Sequence, residues 1–178
     1  MKIAICGSHG VGKTTLAEAL SKKLKLPLIK ETAREVYALG LPLLSMVGYP
    51  SVRAQLAVFG LQLLREQQCS EFVSDRSILD GLAYFRVSYD EDDDIAHRYW
   101  TMLVEFGREY AKHNYDLLVY VPIEFELVPD GFRNLDGKLQ SCIDAILCQL
   151  LRGIPHLRVS GSLEERVSQV LERIGGVK

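Results

Sequence analysis

The segment that most constrains this fold is a short apolar run that leads into a glycine-rich stretch. Residues 2–6 read KIAIC, residues 7–14 read GSHGVGKT, and apolar residues recur at helical spacing from Leu16 to Leu24. The stretch satisfies the pattern G-x-x-x-x-G-K-[ST] between a predicted strand and a predicted helix, which is typical of a loop that surrounds phosphates. Its glycines allow positive φ and close approach to an anion. We therefore expect a nucleotide-phosphate site here.

The motif assigns chemical roles within this loop. Its amides lie at the positive end of a helix that is expected to begin near Lys13, so they can point at phosphate oxygens. The Lys13 side chain can reach the β- and γ-phosphates, and the Thr14 hydroxyl can bind Mg²⁺. The expected cofactors are therefore ATP and Mg²⁺. The expected nucleotide contacts are Gly7, Ser8, His9, Gly10, Val11, Gly12, Lys13, Thr14 and Thr15.

Length, charge and cysteine spacing narrow the class of protein. The 178 residues predict one domain, residues 1–178, that is large enough for its own core. A formal net charge of -2 gives no basic field that would favour nucleic acid or an anionic membrane. The four cysteines have no C-x-x-C spacing, which favours free thiols. The first apolar run is too short for a signal peptide or a membrane span, so we expect a cytoplasmic protein.

Five short strands are predicted to alternate with helices. The expected strands are residues 2–6, 26–29, 71–74, 115–121 and 156–159. The expected helices lie near residues 13–25, 30–35, 51–69, 78–87, 95–112, 137–152 and 163–174. This order predicts a doubly wound α/β domain, a three-layer sandwich with a mainly parallel five-stranded sheet. Ligands of such sheets bind beyond the carboxyl ends of the strands, which selects the loops at 7–15, 30–34 and 75–80.

Asp75 and Arg76 follow the third predicted strand. A carboxylate at this place can hold Mg²⁺ or accept a proton from an attacking hydroxyl, and the arginine can bind a phosphate through two donors. The alternative is a surface ion pair at a strand end. Arg76 stands where hydrolysing ATPases carry a glutamate that orients water, and no Asn-Lys-x-Asp guanine motif occurs. The pattern favours transfer to a bound acceptor over hydrolysis.

Further candidates lie in the segments that follow the second and fourth strands. Glu31 and Arg34 lie one helical turn apart, where a carboxylate suits sugar hydroxyls or a base edge and a guanidinium suits a phosphate. An exposed ion pair is the alternative. Arg133 lies in a segment flanked by proline and glycine, residues 122–138, which we expect to form a lid; an ordinary loop arginine is the alternative. The acidic run at 90–94 is expected to cap a helix.

Four segments taken in order resemble a known group of proteins. They are residues 7–14, 31–35 (ETARE), 75–84 (DRSILDGLAY) and 130–133 (DGFR). They are similar to a family of small P-loop proteins of the AAA-type ATPase/kinase kind, which resembles the ribosylnicotinamide kinase domain of bacterial NAD-biosynthesis regulators. The stretch that begins Asp-Arg-Ser also resembles thymidylate and deoxynucleoside kinases. The resemblance implies a nucleoside/nucleotide kinase fold, with Arg133 in a lid over ATP and residues 160–162 near adenine.

The leading hypothesis is a kinase that moves the γ-phosphoryl group of ATP to a nucleoside or nucleoside monophosphate. Two alternatives stay open: a kinase that acts on a nucleic-acid end or modified base, and an ATP-binding regulatory module. Apolar helix faces fit either a core or a homodimer surface. The expected catalytic residues are Lys13, Asp75, Arg76 and Arg133, the acceptor contacts Glu31, Arg34, Arg76 and Asp80, and the magnesium ligands Thr14 and Asp75.

Overall fold

A single parallel sheet forms the centre of the molecule. The computed structural model describes residues 1–42, 51–90, 92–125 and 137–176. The strands are β1 (Lys2–Cys6), β2 (Leu28–Ile29), β3 (Phe72–Asp75), β4 (Leu117–Tyr120) and β5 (Leu157–Arg158). They lie in the order β2-β3-β1-β4-β5, and all of their pairings are parallel. The predicted five-stranded doubly wound sheet is confirmed.

The helices of the described residues fall where the periodicity predicts them. They are α1 (Lys13–Leu24), α2 (Thr32–Ala38), α3 (Val52–Gln67), α4 (Ile78–Arg86), α5 (Asp94–Asn114), α6 (Gly137–Leu150) and α7 (Leu163–Gly175). Strand β2 is shorter than its predicted range of 26–29. The Pro27 carbonyl accepts a bond from the Val73 amide, but proline has no N–H with which to continue the ladder.

Strand β1 is buried on both faces, because a layer of helices packs against each side of the sheet and gives a three-layer sandwich. Ala4 and Cys6 point into an apolar cluster that includes residues of α4, α5 and α6. Ile3 and Ile5 point the opposite way, into a cluster with residues of α1 and α7. This alternation is the two-residue period of a strand between two helical layers. All four cysteines are free thiols, as the sequence predicts.

Polar side chains fix where three of the helices begin. The Asp93 carboxylate accepts the Ala96 amide at 3.0 Å, so the acidic run caps α5 as predicted. A capping box at Ser162 opens α7, and a second one at Ser77 opens α4. Within the described ranges, no cluster of three or more His, Cys, Asp or Glu residues is placed to hold a metal. No helix in those ranges is long and apolar enough to cross a membrane.

The strand register brings the predicted functional loops to one edge of the sheet. Ile5 of β1 pairs with Asp75 of β3, and Ile29 of β2 pairs with Ser74. The carboxyl ends of β1, β2 and β3 are therefore neighbours, and the loops that follow them meet above the same edge. The central strand carries the glycine-rich loop, so this loop lies in the middle of the site.

Candidate active site

The glycine-rich loop joins β1 to α1 in a conformation that needs glycine. Gly10 and Gly12 have φ of 76° and 87°, as the sequence predicts. Gly7 has φ of 155°, and a Cβ atom on it would lie 2.4 Å from the Val121 carbonyl oxygen. In the part of the chain that the structure describes, no side chain caps the start of α1, and the first turn of this helix has no acidic residue. The helix thus begins with amides that remain available to an anion.

Lys13 and Ser8 lie buried inside this loop. The Lys13 ammonium group donates to the Ser8 carbonyl oxygen, and the residue is only 4% exposed. The Ser8 hydroxyl is fully buried and has no hydrogen-bond partner among the described residues. A buried hydroxyl, a buried ammonium group and a cradle that a Cβ atom would fill are features that fit a bound phosphate chain. The predicted contacts Thr14 and Thr15 are exposed at the start of α1.

The oxygens that could bind Mg²⁺ are those of Thr14 and Asp75. Thr14 is exposed at the start of α1, whereas Asp75 ends β3 and is 3% exposed. Hydroxyl and carboxylate oxygens match the preference of Mg²⁺, which usually takes few protein ligands and completes its shell with phosphate and water. The residues present therefore fit the ion.

The loop is also held from behind by side chains that the sequence analysis did not single out. Gln140 Nε2 of α6 donates to the His9 carbonyl oxygen at 2.7 Å, and Arg166 Nη1 of α7 donates to the Val11 carbonyl oxygen at 2.7 Å. Both side chains are almost fully buried. Their signal in the sequence is a polar residue at a buried helical position, since Arg166 is in phase with Leu163 and Val170.

Arg76 is a buried cation in an unusual backbone conformation. Its φ is 118°, a region that residues other than glycine rarely adopt. Nε and Nη2 lie 2.8 and 2.6 Å from Glu31 Oε1, and Nη1 lies 3.4 Å from Asp80 Oδ1. Burial alone would lower the pKa of Arg76, but the Glu31 and Asp80 carboxylates raise it. The guanidinium also lies 5.1 Å from the Tyr84 ring centroid. The side chain is therefore a fixed positive charge at the end of β3.

The predicted pair of Glu31 and Arg34 forms, but it is not an exposed ion pair. Glu31 is buried, and its Oε2 lies 3.3 Å from Arg34 Nε, while the Arg34 side chain is 54% exposed. Glu31 therefore lies between two guanidinium groups, one buried and one facing solvent. The contact with Arg76, which the sequence analysis missed, is the shorter of the two.

Asp80 connects the arginine to the glycine-rich loop. It is fully buried and accepts from the Gly7 amide at 3.2 Å and from the Ser77 amide at 2.9 Å, in addition to its contact with Arg76. Burial raises the pKa of Asp80 more than Arg76 and Lys13 lower it. Both of its oxygens are engaged within the chain. Contact with an acceptor stays a prediction.

A buried polar network supports the end of β3 from the side of α3. Gln62 Nε2 donates to Ser74 Oγ at 2.8 Å and to Glu66 Oε1 at 2.6 Å. The Tyr115 hydroxyl donates to Glu66 at 2.9 Å and accepts from the Ile78 amide at 2.9 Å. Burial raises the pKa of Glu66, although these hydrogen bonds lower it in part. The network ties α3 to the first turn of α4, beside Arg76.

The predicted lid falls mostly outside the described residues. Arg133 and the rest of 126–136 are not described, so its contacts stay predictions from the sequence. The structure describes only the beginning and end of the expected segment, residues 122–125 and 137–138. The Gly161 amide, in the loop that the resemblance places near adenine, donates to Glu124 Oε2 at 3.0 Å.

Comparison with known proteins places this site in a family. A family model described as an AAA domain matches residues 2–166, which is nearly the whole chain. The chain belongs to this AAA domain family. The AAA domain found here thus includes the glycine-rich loop, the Asp75–Arg76 pair and the start of α7. No curated protein matches the chain in sequence.

Solved structures of kinases share the fold of this AAA domain. A deoxyadenosine kinase from M. mycoides, solved with its products dCMP and a flexible dCDP bound, has a TM-score of 0.71 and 17% identity, with 100% of both chains covered. A NadR protein in complex with NR has a TM-score of 0.72 and 19% identity; 99% of this chain matches 52% of that one. Shikimate kinase from Acinetobacter baumannii, in complex with shikimate, has a TM-score of 0.62 and 16% identity over 99% and 94%. At these identities the likeness establishes a P-loop kinase-like α/β fold.

Proposed function

We propose that this protein transfers the γ-phosphoryl group of Mg-ATP to a nucleoside or nucleoside monophosphate. The observation that carries the proposal is the buried clamp between Arg76 and Glu31 at the strand end next to the glycine-rich loop. Hydrolysing ATPases carry a glutamate after this strand that orients water, whereas here Arg76 takes that position and the Glu31 carboxylate is held by two guanidinium groups. Such a pair suits the binding and alignment of a second substrate.

The donor half of the proposed reaction uses the glycine-rich loop. Lys13 and the loop amides would stabilise negative charge on the β- and γ-phosphates, and Thr14 with Asp75 would hold the magnesium ion. Mg-ATP supplies the phosphoryl group when it is bound. A NadR structure that contains NAD and AMP-PNP has a TM-score of 0.72 with this chain, which supports an ATP site on this fold.

The acceptor half lies above β2 and β3. As the alternative to holding magnesium, Asp75 would accept the proton of the attacking hydroxyl; Arg76 would neutralise charge near the transferred group. Arg34, with its exposed guanidinium beside Glu31, would orient the acceptor, and Asp80 would hold Arg76 in place. Arg133 would approach the phosphates from the lid, a role that rests on the sequence alone.

Joint binding of donor and acceptor gives a direct test of the two-substrate site. We expect nucleosides or monophosphates to raise the melting temperature further in the presence of a non-hydrolysable ATP analogue. Lys13→Ala should abolish the shift caused by the analogue, whereas Lys22→Ala, an exposed position of the same helix, should preserve it. If no small acceptor adds to the shift but an oligonucleotide does, the acceptor is a nucleic acid. If neither a small acceptor nor an oligonucleotide adds to the shift in melting temperature, the protein is an ATP-binding regulatory module and not a kinase.

A homodimer is a further part of this proposal. Four large apolar side chains, Ile95, Tyr99, Met102 and Phe106, are exposed along α5 at spacings of three and four residues. Such a stripe on one helix suits an interface between two copies. Sedimentation velocity should give a dimer for the native chain and a monomer for Met102→Lys. A native chain that sediments as a monomer at micromolar concentration would contradict the proposed homodimer.

A further inference from the structure

The glycine-rich loop is attached to two helices that follow it far along the chain. Gln140 lies on α6 and Arg166 on α7, and each donates a hydrogen bond of 2.7 Å to a backbone carbonyl oxygen of the loop. The acceptors are the carbonyl oxygens of His9 and Val11. These are not the surface contacts of long side chains, because Gln140 is 5% exposed and Arg166 is 4% exposed.

The position of these carbonyl oxygens determines the direction of the amides that follow them. In a planar trans peptide unit, the C=O of one residue and the N–H of the next point in opposite directions. The His9 carbonyl shares its peptide unit with the Gly10 amide, and the Val11 carbonyl shares its unit with Gly12. Holding each oxygen against its side-chain donor therefore turns the N–H of the same peptide unit away from Gln140 or Arg166.

Glycine makes this control necessary. Gly10 and Gly12 have positive φ and no side chain to restrict them, so their peptide units can rotate at low cost. A rotated unit would present a carbonyl oxygen to the phosphates and repel them. A donor bound to the outer carbonyl removes that alternative before the ligand arrives, which reduces the entropic cost of binding.

The Arg166 side chain is itself fixed in place. Its Nη2 lies 2.7 Å from Glu124 Oε2, which also accepts the Gly161 amide at 3.0 Å. The guanidinium is 5.6 Å from the ring centroid of Phe125, and a Cβ atom on Gly12 would lie 3.3 Å from Nη1. The charge of Arg166 is thus paired, and its donor stays directed at the loop.

We propose that Gln140 and Arg166 are positioning residues that orient the Gly10 and Gly12 amides for phosphate binding. The inference rests on the proposed function only in that both concern the same donor site. Neither residue needs to touch the nucleotide. Their effect should therefore appear in nucleotide affinity, and the acceptor should bind as before.

The test compares the affinity of Mg-ATP and of a non-hydrolysable analogue by titration calorimetry. Gln140→Leu and Arg166→Met, which keep bulk but remove the donors, should each weaken binding about tenfold or more, as expected for the loss of one buried hydrogen bond and the resulting freedom of a peptide unit. Arg166→Lys retains one donor and should lose less. Exposed residues of the same two helices supply the controls: Gln149→Ala and Arg173→Gln should bind as the native chain does.

Two further measurements separate positioning from a general loss of structure. Amide NMR signals of Gly10 and Gly12 should shift in the ligand-free variants, while acceptor affinity stays within about twofold of native. If a core variant fails to fold, Glu124→Gln takes its place: it removes the carboxylate that pairs with Arg166 and also accepts the Gly161 amide, and it should reduce nucleotide affinity in the same direction. The inference would be overturned if folded variants bound Mg-ATP as tightly as the native chain does. It would also be overturned if the variants lost affinity for Mg-ATP and for the acceptor substrate to the same extent. A native protein that binds Mg-ATP without transferring phosphate overturns the proposed function alone.

Discussion

Gly7 lies where the chain leaves the central strand, and its environment leaves no room for a side chain. A Cβ atom there would approach the Val121 carbonyl oxygen to 2.4 Å and the Val11 side chain to 3.2 Å. The obstacle is partly backbone of β4's continuation, which cannot move without disturbing the sheet. The first position of the motif must therefore be glycine so that the loop can pack against Val121 and Val11.

Gly7→Ala is expected to destabilise the fold by about 1–3 kcal/mol, because the added methyl group overlaps a fixed carbonyl. Gly60→Ala is the matched control, since Gly60 lies inside α3 and no atom of the described residues comes within 4 Å of the added atom. That change should stabilise the protein by about 0.4–1 kcal/mol. Urea unfolding at neutral pH measures both. Equal free energies of unfolding for the two variants would contradict the clash between a Cβ atom at position 7 and the Val121 carbonyl oxygen.

Arg76→Lys tests the clamp at the end of β3. Lysine keeps the charge but presents a single ammonium group, so it cannot hold Glu31 through two nitrogens and reach Asp80 as well. We expect kcat/KM for transfer to the acceptor to fall about tenfold or more, while the affinity for Mg-ATP changes less than about twofold. Arg65→Lys, which alters an exposed pair with Glu35, should leave both unchanged. A loss confined to Mg-ATP affinity would contradict the acceptor role.

At the scale of elements, helix α3 carries a buried carboxylate into the layer beside β3. Glu66 is fully buried, and its neighbours Gln62 and Tyr115 donate hydrogen bonds to it. The same Tyr115 hydroxyl accepts the Ile78 amide at the start of α4. One carboxylate thus fixes α3, α4 and the strand end between them, at the cost of burying a charge.

Glu66→Gln should change how stability depends on pH. Burial raises the folded-state pKa of Glu66 above its ordinary value of 4.5. The folded native chain therefore binds this proton more tightly than the unfolded chain, and it loses stability relative to the variant as pH rises from 4.5 through the folded-state value. Urea unfolding measures this at about pH 4 and about pH 8. The free energy of unfolding of the variant, relative to that of the native protein, should be higher at the higher pH.

The control for this experiment is Glu18→Gln, at an exposed position of α1. Its difference from the native protein should be nearly the same at both pH values. If the Glu66 variant instead loses stability relative to native as pH rises, the carboxylate is stabilised in its charged form, and our assignment of the dominant effect to burial is wrong.

Local patterns explain how much of this arrangement could be predicted from the sequence. Strand β1, the glycine-rich loop and α1 follow from a motif and a periodicity that lie within two dozen residues, and their predicted and observed bounds agree closely. The predicted strand at 115–121 was too long, since β4 is Leu117–Tyr120 and Tyr115 instead directs its hydroxyl into the Glu66 network.

The contacts that complete the site join residues far apart in the chain. Arg76 and Glu31 are 45 residues apart, Gln140 and His9 are 131 apart, and Arg166 and Val11 are 155 apart. No local pattern reports which side chains the topology brings together. A buried helical position occupied by glutamine or arginine indicates an unidentified polar partner, and only the fold identifies it.

At the scale of the whole molecule, the sheet order brings the functional loops together. Strand β1 lies between β3 and β4, so the glycine-rich loop has the Asp75–Arg76 pair on one side and the segment that leads to residues 122–125 on the other. Helices α6 and α7, from opposite layers of the sandwich, both contact the loop. The glycine-rich loop, which forms the proposed donor half, and the loops after β2 and β3, which form the proposed acceptor half, therefore share one edge of the sheet.

The most direct measurement of the central claim follows the γ-phosphate of labelled ATP in the presence of nucleosides and nucleoside monophosphates. We predict a labelled, phosphorylated small acceptor with the native chain, little inorganic phosphate, and loss of the product with Lys13→Ala. Steady release of inorganic phosphate with no labelled acceptor from any member of the panel would contradict the account.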